Sequence, residues 1–329
     1  MELPKHFDNL LTDTVNLPQG RLDDLDGKVD AIYAVLKKDD QVKALVTGKT
    51  PQGSWAQRTI IRPQNGKEYD ADVLIHMKEN TDWDSEKIKY LSELKAALVR
   101  AGYTCERHTR CVRVIYAADC HVDLVPYVDT TVGQMIVNAD TGEWEGSDPD
   151  GFSRWMRERD EATGGNFRKV VRLIKFLRDH RDSFTGTRSI ILTTVLGERV
   201  ATVSLFRDPR AFDNVPCSLI TLIELLDEWL QGLSARPSIV DPSGTGVTFD
   251  HRWSDDSFDY FRDRIHTHAS EMRDALDETD PQRSEEKWQA IFGDGFRGEL
   301  PKATTNPFVG AGAAATSGRS GRAGRLHAG

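Results

Sequence analysis

The stretch that decides the fold is residues 69–77, YDADVLIHM, in which Asp70 and Asp72 alternate with other positions before the run becomes apolar. This alternation is typical of a half-buried β-strand. Because strand side chains alternate with a period of two, both carboxylates are expected on the same face. Adjacent carboxylates repel each other unless a cation lies between them, and Mg²⁺ favours such oxygen ligands. A solvated strand face is the alternative explanation of the pair.

A third aspartate, Asp123, stands in a second predicted strand, residues 121–128 (HVDLVPYV). An acid in a largely apolar strand is costly to bury without a partner. A neighbouring strand that brought it beside Asp70 and Asp72 would supply that partner. Three carboxylates can hold two metal ions roughly 3.5–4 Å apart, which activates an attacking oxygen and steadies a leaving one.

Gly53 and Ser54 precede the aspartate pair and begin the segment GSWAQRT, residues 53–59. A small-residue loop that opens a helix suits phosphate binding, because glycine lets the backbone approach the ligand and serine adds a hydroxyl. A dipeptide alone carries little information, so this feature counts only together with the aspartates. Residues 47–52 just before it are predicted as a loop, since Gly48 and Pro51 interrupt any regular pattern.

Helical periodicity dominates most of the remaining chain, and residues 129–165 are predicted to be irregular apart from one helix at 151–159. The other predicted helices lie mostly within 1–47 and at 84–101, 166–180, 188–200, 219–230 and 254–278. The predicted organisation is a mixed α/β N-terminal half and a helical C-terminal half, with a ligand cleft between them. Residues 303–329 are rich in Gly, Ala, Ser and Arg and are predicted to be disordered.

Composition limits the classes of partner. The 329 residues carry a net charge of -9, which argues against a protein whose main task is to grip duplex DNA. No apolar signal segment or membrane span is visible, so a cytoplasmic protein with free thiols is expected. Zinc bound by Cys105, Cys111, Cys120 and His121 is a weaker alternative, because the spacing lacks a CxxC pair.

Three segments, GSWAQRT, DADVLI and HVDLVP, together resemble the GS…DxD…D signature of the polymerase-β-like nucleotidyltransferases. The resemblance is closest to the branch that holds the oligoadenylate synthetases, the cyclic GMP–AMP synthases and the bacterial CD-NTases of CBASS anti-phage systems. The segment NFRKVVRLIKFLRDHR is similar to the first helix of that branch's substrate-binding domain, and TRSIILTTVL is similar to the helix that follows it. The segment KWQAIFGDGF is similar to the closing segment of bacterial CD-NTases.

The resemblance implies an α+β fold of two lobes with the active site in the cleft. Residues 1–150 would form the polymerase-β-like catalytic domain, a mixed sheet with N-terminal helices. Residues 151–302 would form a helical substrate-binding domain like that of oligoadenylate synthetases and poly(A) polymerases, followed by the tail 303–329. It also implies roles for single residues. Asp70, Asp72 and Asp123 would bind two Mg²⁺ ions, with Mn²⁺ as a substitute, whereas Gly53, Ser54, Lys175 and Ser189 would bind the nucleotide.

The implied reaction joins nucleoside triphosphates, ATP among them, into a cyclic di- or trinucleotide messenger for anti-phage defence. A downstream effector would bind the product, and a CBASS accessory protein would gate the enzyme or act on the C-terminal Gly329. Neither DNA nor a membrane is expected as a partner. Two alternatives remain: a nucleotidyltransferase with an RNA or protein acceptor, and a catalytically silent nucleotide-binding regulator.

Overall fold

The structure is a computed structural model that describes residues 1–64, 66, 68–117, 120–203 and 208–299. The tail predicted to be disordered, residues 303–329 with Gly329, lies outside the described residues. Met1–Glu299 form one compact unit. Within the described ranges, no helix is both long and apolar enough to span a lipid bilayer.

A mixed sheet of seven described strands forms the centre of the N-terminal half. Its strands are β1 (Val46–Gln52), β2 (Tyr69–Lys78), β3 (Cys105–Arg107), β4 (Val112–Tyr116), β5 (Cys120–Thr130), β6 (Gly133–Asn138) and β7 (Glu143–Gly146). The main strand order is β1-β2-β5-β4-β3, and β6 extends the sheet from the end of β5 and pairs with β7. The β2–β5 pair is parallel and the other pairs are antiparallel.

Helices cover the sheet and build the C-terminal half. They are α1 (Pro4–Asn9), a π-helix (Leu10–Val15), α2 (Gln19–Leu36), α3 (Gly53–Ala56), a 3-10 turn (Thr81–Trp83), α4 (Lys89–Arg100), α5 (Pro149–Ala162), α6 (Phe167–His180), α7 (Ser189–Val200), α8 (Val215–Gln231), a 3-10 turn (Asp250–Arg252), α9 (Asp255–Asp277) and α10 (Pro281–Phe292). Sheet and helices together confirm the predicted α+β class.

The first hydrophobic core, here called the sheet core, lies between the sheet and helices α2 and α4. Ala71, Val73 and Ile75 of β2 are fully buried in it, together with apolar side chains of both helices. Because side chains alternate along a strand, Asp70 and Asp72 are left on the opposite face. The predicted strand, and the predicted common face of its two aspartates, are confirmed.

The second core, here called the helical core, is formed by α5 to α10 and also by the first fifteen residues. Phe7 of α1 contacts Trp288 and Phe296 edge-to-face, each at a centroid distance of 4.9 Å. The chain therefore starts in the helical core, crosses to the sheet core near Leu17 and, apart from Ile61, returns to the helical core near Trp155. The domain boundaries near residues 150 and 302 stay a prediction.

Three local predictions were wrong. Residues 47–52 form most of strand β1 rather than a loop. Gly48 and Pro51 are tolerated there because β1 is an edge strand with one neighbour. Residues 129–148 are not irregular, since they contain β6 and β7, which form through pairing rather than through a strong local pattern. The helix predicted from residue 84 begins at Lys89, after the turn Thr81–Trp83.

Candidate active site

A single row of in-register residues crosses four neighbouring strands. Gln52 of β1 lies opposite Asp72 of β2, Asp72 lies opposite Asp123 of β5, and Asp123 lies opposite Arg113 of β4. Residues directly opposite each other on neighbouring strands share a face of the sheet. Asp70 is two positions before Asp72 and shares that face. The structure thus brings the three sequence-predicted aspartates together through strand register.

Arg113 is a member of this cluster that the sequence did not reveal. Its Nε and Nη2 atoms each lie 2.8 Å from an oxygen of Asp123, and Nη2 is also 3.4 Å from Oδ1 of Asp70. The bond to Asp123 and the charges of both aspartates raise the pKa of Arg113. The available signal was a charged residue between Val112 and Val114 in a strand whose neighbours are buried.

Asp72 is left with excess negative charge around it. Burial, followed by the nearby carboxylates of Asp123 and Asp70, raises its pKa to about 6. A carboxylate in this setting is stabilised by a cation. Asp123 accepts hydrogen bonds from Arg113 through both oxygens, and among the described His, Cys, Asp and Glu side chains no group of three is already arranged as a metal site. The charges of Arg113 and Lys175 offset only part of the rise in the pKa of Asp72, so the three oxygen-donor carboxylates on this face fit Mg²⁺.

Gly53 and Ser54 begin the short helix α3 directly beside Asp72. Gly53 has a backbone φ of +61°, and a Cβ atom at this position would lie only 2.1 Å from Oδ2 of Asp72. Only glycine permits both this conformation and this approach. Gly53 of the candidate phosphate loop is therefore in contact with Asp72 of the candidate metal site.

Lys175 and Ser189, the two helix residues predicted to contact nucleotide, both line the same cleft. Lys175 on α6 is buried, and its Nζ donates to the carbonyl oxygen of Thr59 at 2.7 Å. Burial, then the charge of Arg178, lowers the pKa of Lys175 to about 7. Ser189 is the first residue of α7, and its Oγ accepts a hydrogen bond from Arg178 Nη1 at 3.1 Å.

The cleft that contains all seven predicted site residues has a volume of about 1700 Å³. Pockets for one drug-sized ligand measure about 300–1,000 Å³. The cleft therefore has room for two nucleotides. Arg110, Arg188 and Arg252 also line the cleft. Burial, then the charges of Arg110 and Arg188, lowers the pKa of Arg252. Sequence reasoning did not identify these arginines, because they come from separate loops.

All four cysteines are described, and none forms a disulfide. Cys111 lies on the cleft wall beside Asp123, and burial raises its pKa to about 12. Cys105 and Cys120 pack with the sheet core whereas Cys111 lines the cleft, so the candidate zinc ligands are not gathered in one place. The carboxylates remain the metal-ligand candidates.

The sequence matches one protein-family model and resembles the sequences of two bacterial cyclic-nucleotide synthases. Residues 1–160 match the model of the Second Messenger Oligonucleotide or Dinucleotide Synthetase domain. A cyclic AMP-AMP-AMP synthase of an Acinetobacter species is 23% identical over 252 residues, which cover 74% of this chain and 71% of the relative. A c-di-GMP synthase of Roseivirga ehrenbergii is 30% identical over 116 residues, covering 32% of this chain and 30% of the relative.

Solved structures with the same fold include three bacterial proteins. Escherichia coli MS115-1 CdnC with ATP superposes with a TM-score of 0.69 at 19% identity, covering 91% of this chain and 100% of CdnC. The apo form of Vibrio cholerae DncV gives 0.74 at 16% identity, covering 91% and 98%. Bradyrhizobium diazoefficiens CdnG with GTP gives 0.70 at 18% identity, covering 89% and 96%. At these identities the matches establish a common fold over nearly the whole described chain.

Proposed function

We propose that the chain is a bacterial CD-NTase that condenses nucleoside triphosphates into a cyclic oligonucleotide second messenger, in keeping with its family-model match and its similarity to a cyclic AMP-AMP-AMP synthase. The observation that carries the proposal is the contact between the two halves of the signature. Gly53 lies against Asp72, and Asp72 lies in register with Asp123. A triphosphate placed over Gly53 and Ser54 would therefore have its α-phosphate next to the carboxylates.

In the proposed reaction, a 3′- or 2′-hydroxyl oxygen of one nucleotide forms a bond to the α-phosphorus of a second. The bond between that phosphorus and the bridging oxygen of pyrophosphate breaks, pyrophosphate leaves, and the hydroxyl proton passes to solvent water. Two Mg²⁺ ions, for which we expect Mn²⁺ to substitute, would supply charge stabilisation to the entering and leaving oxygens. Asp70, Asp72 and Asp123 would hold these ions. Arg113 would keep Asp123 oriented through its paired hydrogen bonds.

The helical wall is proposed to bind the donor triphosphate. Lys175 and Ser189 line the same cleft as the carboxylates, and burial, then the charge of Arg178, lowers the pKa of Lys175 to about 7 although Asp179 and Asp72 offset part of that effect. A polyphosphate that entered the cleft would favour the charged ammonium form. Gly53 and Ser54 would contact the same triphosphate from the sheet side. Positioning by these groups converts a reaction between two molecules into one within a single complex.

A cleft of about 1700 Å³ supports the proposal that two nucleotides bind at once and that a second condensation closes a di- or trinucleotide ring. ATP is proposed as one substrate, which agrees with the name of the Acinetobacter relative. A role in anti-phage defence, with an effector that binds the product, is proposed from the resemblance to CD-NTases. The solved complex of CdnC with HORMA-deltaN supports an accessory protein partner, for which we propose a gating role, whereas the alternative role of such a protein at Gly329 lies outside the described residues.

The test is incubation of the purified protein with the four α-labelled NTPs and Mg²⁺ or Mn²⁺, followed by phosphatase treatment and separation of the products. The inactive control is Asp70→Asn/Asp72→Asn, and the matched control is Asp26→Asn, an exposed aspartate on α2. We expect phosphatase-resistant products from the wild type and from Asp26→Asn, and none from the double variant.

Two outcomes would favour the alternatives instead. Label that becomes attached to added RNA or protein, with no phosphatase-resistant product, would indicate a different acceptor. ATP binding without turnover, with Mg²⁺, with Mn²⁺ or with accessory protein added, would indicate a silent regulator.

A further inference from the structure

The turn that follows the GS motif has a strained backbone. Arg58 comes two residues after α3 and has φ of +55°, the left-handed region that residues other than glycine adopt only at a cost. Such a residue persists where its surroundings hold it in place, and it is typical of functional sites. The side chain of Arg58 is itself exposed. What needs explanation is therefore the backbone at this position.

The turn closes back onto the two residues proposed to contact phosphate. The amide of Gln57 donates to the carbonyl of Gly53 at 3.1 Å, and the amide of Thr59 donates to the carbonyl of Ser54 at 2.8 Å. Gly53 and Ser54 are thus tied directly to the residues on either side of Arg58. A change in the turn would shift Gly53 relative to Asp72.

Two cationic side chains of α6 donate directly to backbone carbonyls of the turn. Arg172 Nη1 donates to the carbonyl of Arg58 at 2.6 Å, and Lys175 Nζ donates to the carbonyl of Thr59 at 2.7 Å. Three residues apart on one helix, the two side chains leave the same face. Asp160, whose charge acts on Arg172, is already bonded to Arg168 Nη1 at 2.7 Å. Arg172 therefore directs its charge at a backbone carbonyl.

We propose that Arg172 is a positioning residue, which holds the left-handed turn at Arg58 and thereby keeps Gly53 and Ser54 in the arrangement that binds a nucleoside triphosphate. The proposal rests on the proposed function, because it assigns Gly53 and Ser54 to the triphosphate. Arg172 itself is not among the residues that line the cleft. Through this residue the helical half of the molecule sets the affinity of a loop that belongs to the sheet half.

The experiment compares Arg172→Met, Arg58→Gly and the double variant in the full chain. Glycine adopts a positive φ without cost, so a glycine turn no longer needs to be held. We expect Arg172→Met to raise KM for ATP, and Kd for a fluorescent ATP analogue, by roughly tenfold with a smaller change in kcat. The double variant should regain most of this loss, whereas Arg58→Gly alone should bind as the wild type does.

A matched control separates positioning from general stability. Arg273 of α9 donates to both carboxylate oxygens of Glu224 on α8, each at 2.7 Å, and neither residue lines the cleft. Arg273→Met is expected to lower the melting temperature while leaving KM and Kd unchanged. If Arg172→Met fails to fold, Arg172→Lys replaces it, because lysine keeps the charge and lacks the length and the planar fork of arginine.

The proposal is overturned if Arg172→Met leaves nucleotide affinity unchanged, or if Arg58→Gly restores none of the lost affinity. Failure of the proposed function is a separate result. In that case the wild type forms no phosphatase-resistant product, but the Kd arm with the ATP analogue still decides whether Arg172 acts through the turn.

Discussion

The two walls of the cleft carry opposite charge and are built in opposite ways. On the sheet wall, three carboxylates crowd together, and burial with their mutual repulsion raises the pKa of Asp72 to about 6. On the helical wall, burial and the neighbouring Arg178 lower the pKa of Lys175 to about 7. Burial thus disfavours the charged form of Asp72 on one wall and of Lys175 on the other. A ligand that brings both signs, such as a metal–triphosphate, would relieve both walls at once.

The walls also differ in what fixes their side chains. Strand register fixes Asp72 and Asp123, because each is held opposite the other by backbone hydrogen bonds. Side-chain contacts fix the helical wall, where Lys175 bonds to Thr59 and Arg178 bonds to Ser189. We therefore expect substitutions at the sheet wall to change activity more than stability, and substitutions in the helical core to do the reverse.

The largest effect is expected from Asp72→Asn. Loss of a carboxylate that acts on the developing charge should reduce the rate of pyrophosphate release by at least about a hundredfold. The same change removes repulsion from Asp70 and Asp123, so the metal-free protein should become more stable by about 1 kcal/mol. Thermal unfolding in EDTA and a pyrophosphate assay measure the two quantities. A less stable variant would show that the carboxylates do not repel each other as described.

Gly53→Ala is the next largest change. The new Cβ would meet Oδ2 of Asp72 at 2.1 Å, and alanine at a φ of +61° is strained. Movement of the loop to relieve the clash should raise KM for ATP and lower kcat, with about a tenfold loss in kcat/KM. Steady-state kinetics give the answer. Unchanged kcat/KM would show that the phosphate does not bind over Gly53.

Gly197→Ala is the matched change in the helical core. Its Cβ would lie 2.2 Å from Cη2 of Trp155, a contact nearly as close as that at Gly53, and neither Gly197 nor Trp155 lines the cleft. Overpacking of this kind costs about 1–3 kcal/mol. We expect a lower melting temperature and an unchanged KM for ATP. Equal effects of the two alanine substitutions on KM would remove the distinction between the two halves.

The smallest effect concerns pH and the buried His268 of α9. Its ring bonds to Ser183 Oγ at 3.1 Å and to Glu271 at 3.0 Å, and Arg264 and Arg181 also face this network. Burial lowers the pKa of His268 below 6.5, partly offset by Glu271. The unfolded chain therefore binds the proton first, and stability is lost as pH falls below about 6.5.

Replacement of His268 by Gln should flatten this pH dependence, so that less stability is lost between about pH 7 and pH 5 than in the wild type. The control is His266→Gln, an exposed histidine on the same helix. Denaturant unfolding at several pH values measures the slope. A slope that persists in His268→Gln would assign it to other groups.

The sequence predicted those parts of the site that follow from local patterns. Alternation along β2 predicted the common face of Asp70 and Asp72, and an acid in an apolar strand indicated Asp123. The pairing of Arg113 with Asp123 could not be predicted, because it depends on which residues of β4 and β5 lie opposite each other. The same limit applies to the left-handed turn at Arg58 and its bond to Arg172, which joins residues 114 positions apart.

Strand propensity explains the missed parts of the fold. The edge strand β1 contains Gly48 and Pro51, and β7 has four residues, so neither carries a strong period-two pattern. These strands form because a partner offers unpaired backbone groups. By contrast, α6 was predicted nearly to its ends, since its apolar face repeats with the period of a helix.

The most direct test of the central claim, that the GS loop and the aspartate row act as one metal–nucleotide site, is a crystal structure with Mg²⁺ and a non-hydrolysable ATP analogue. We expect the triphosphate to lie over Gly53 and Ser54, metal density between it and the carboxylates of Asp70 and Asp72, and Lys175 on the opposite side of the phosphates. A triphosphate bound elsewhere, with no metal at these carboxylates, would contradict the claim.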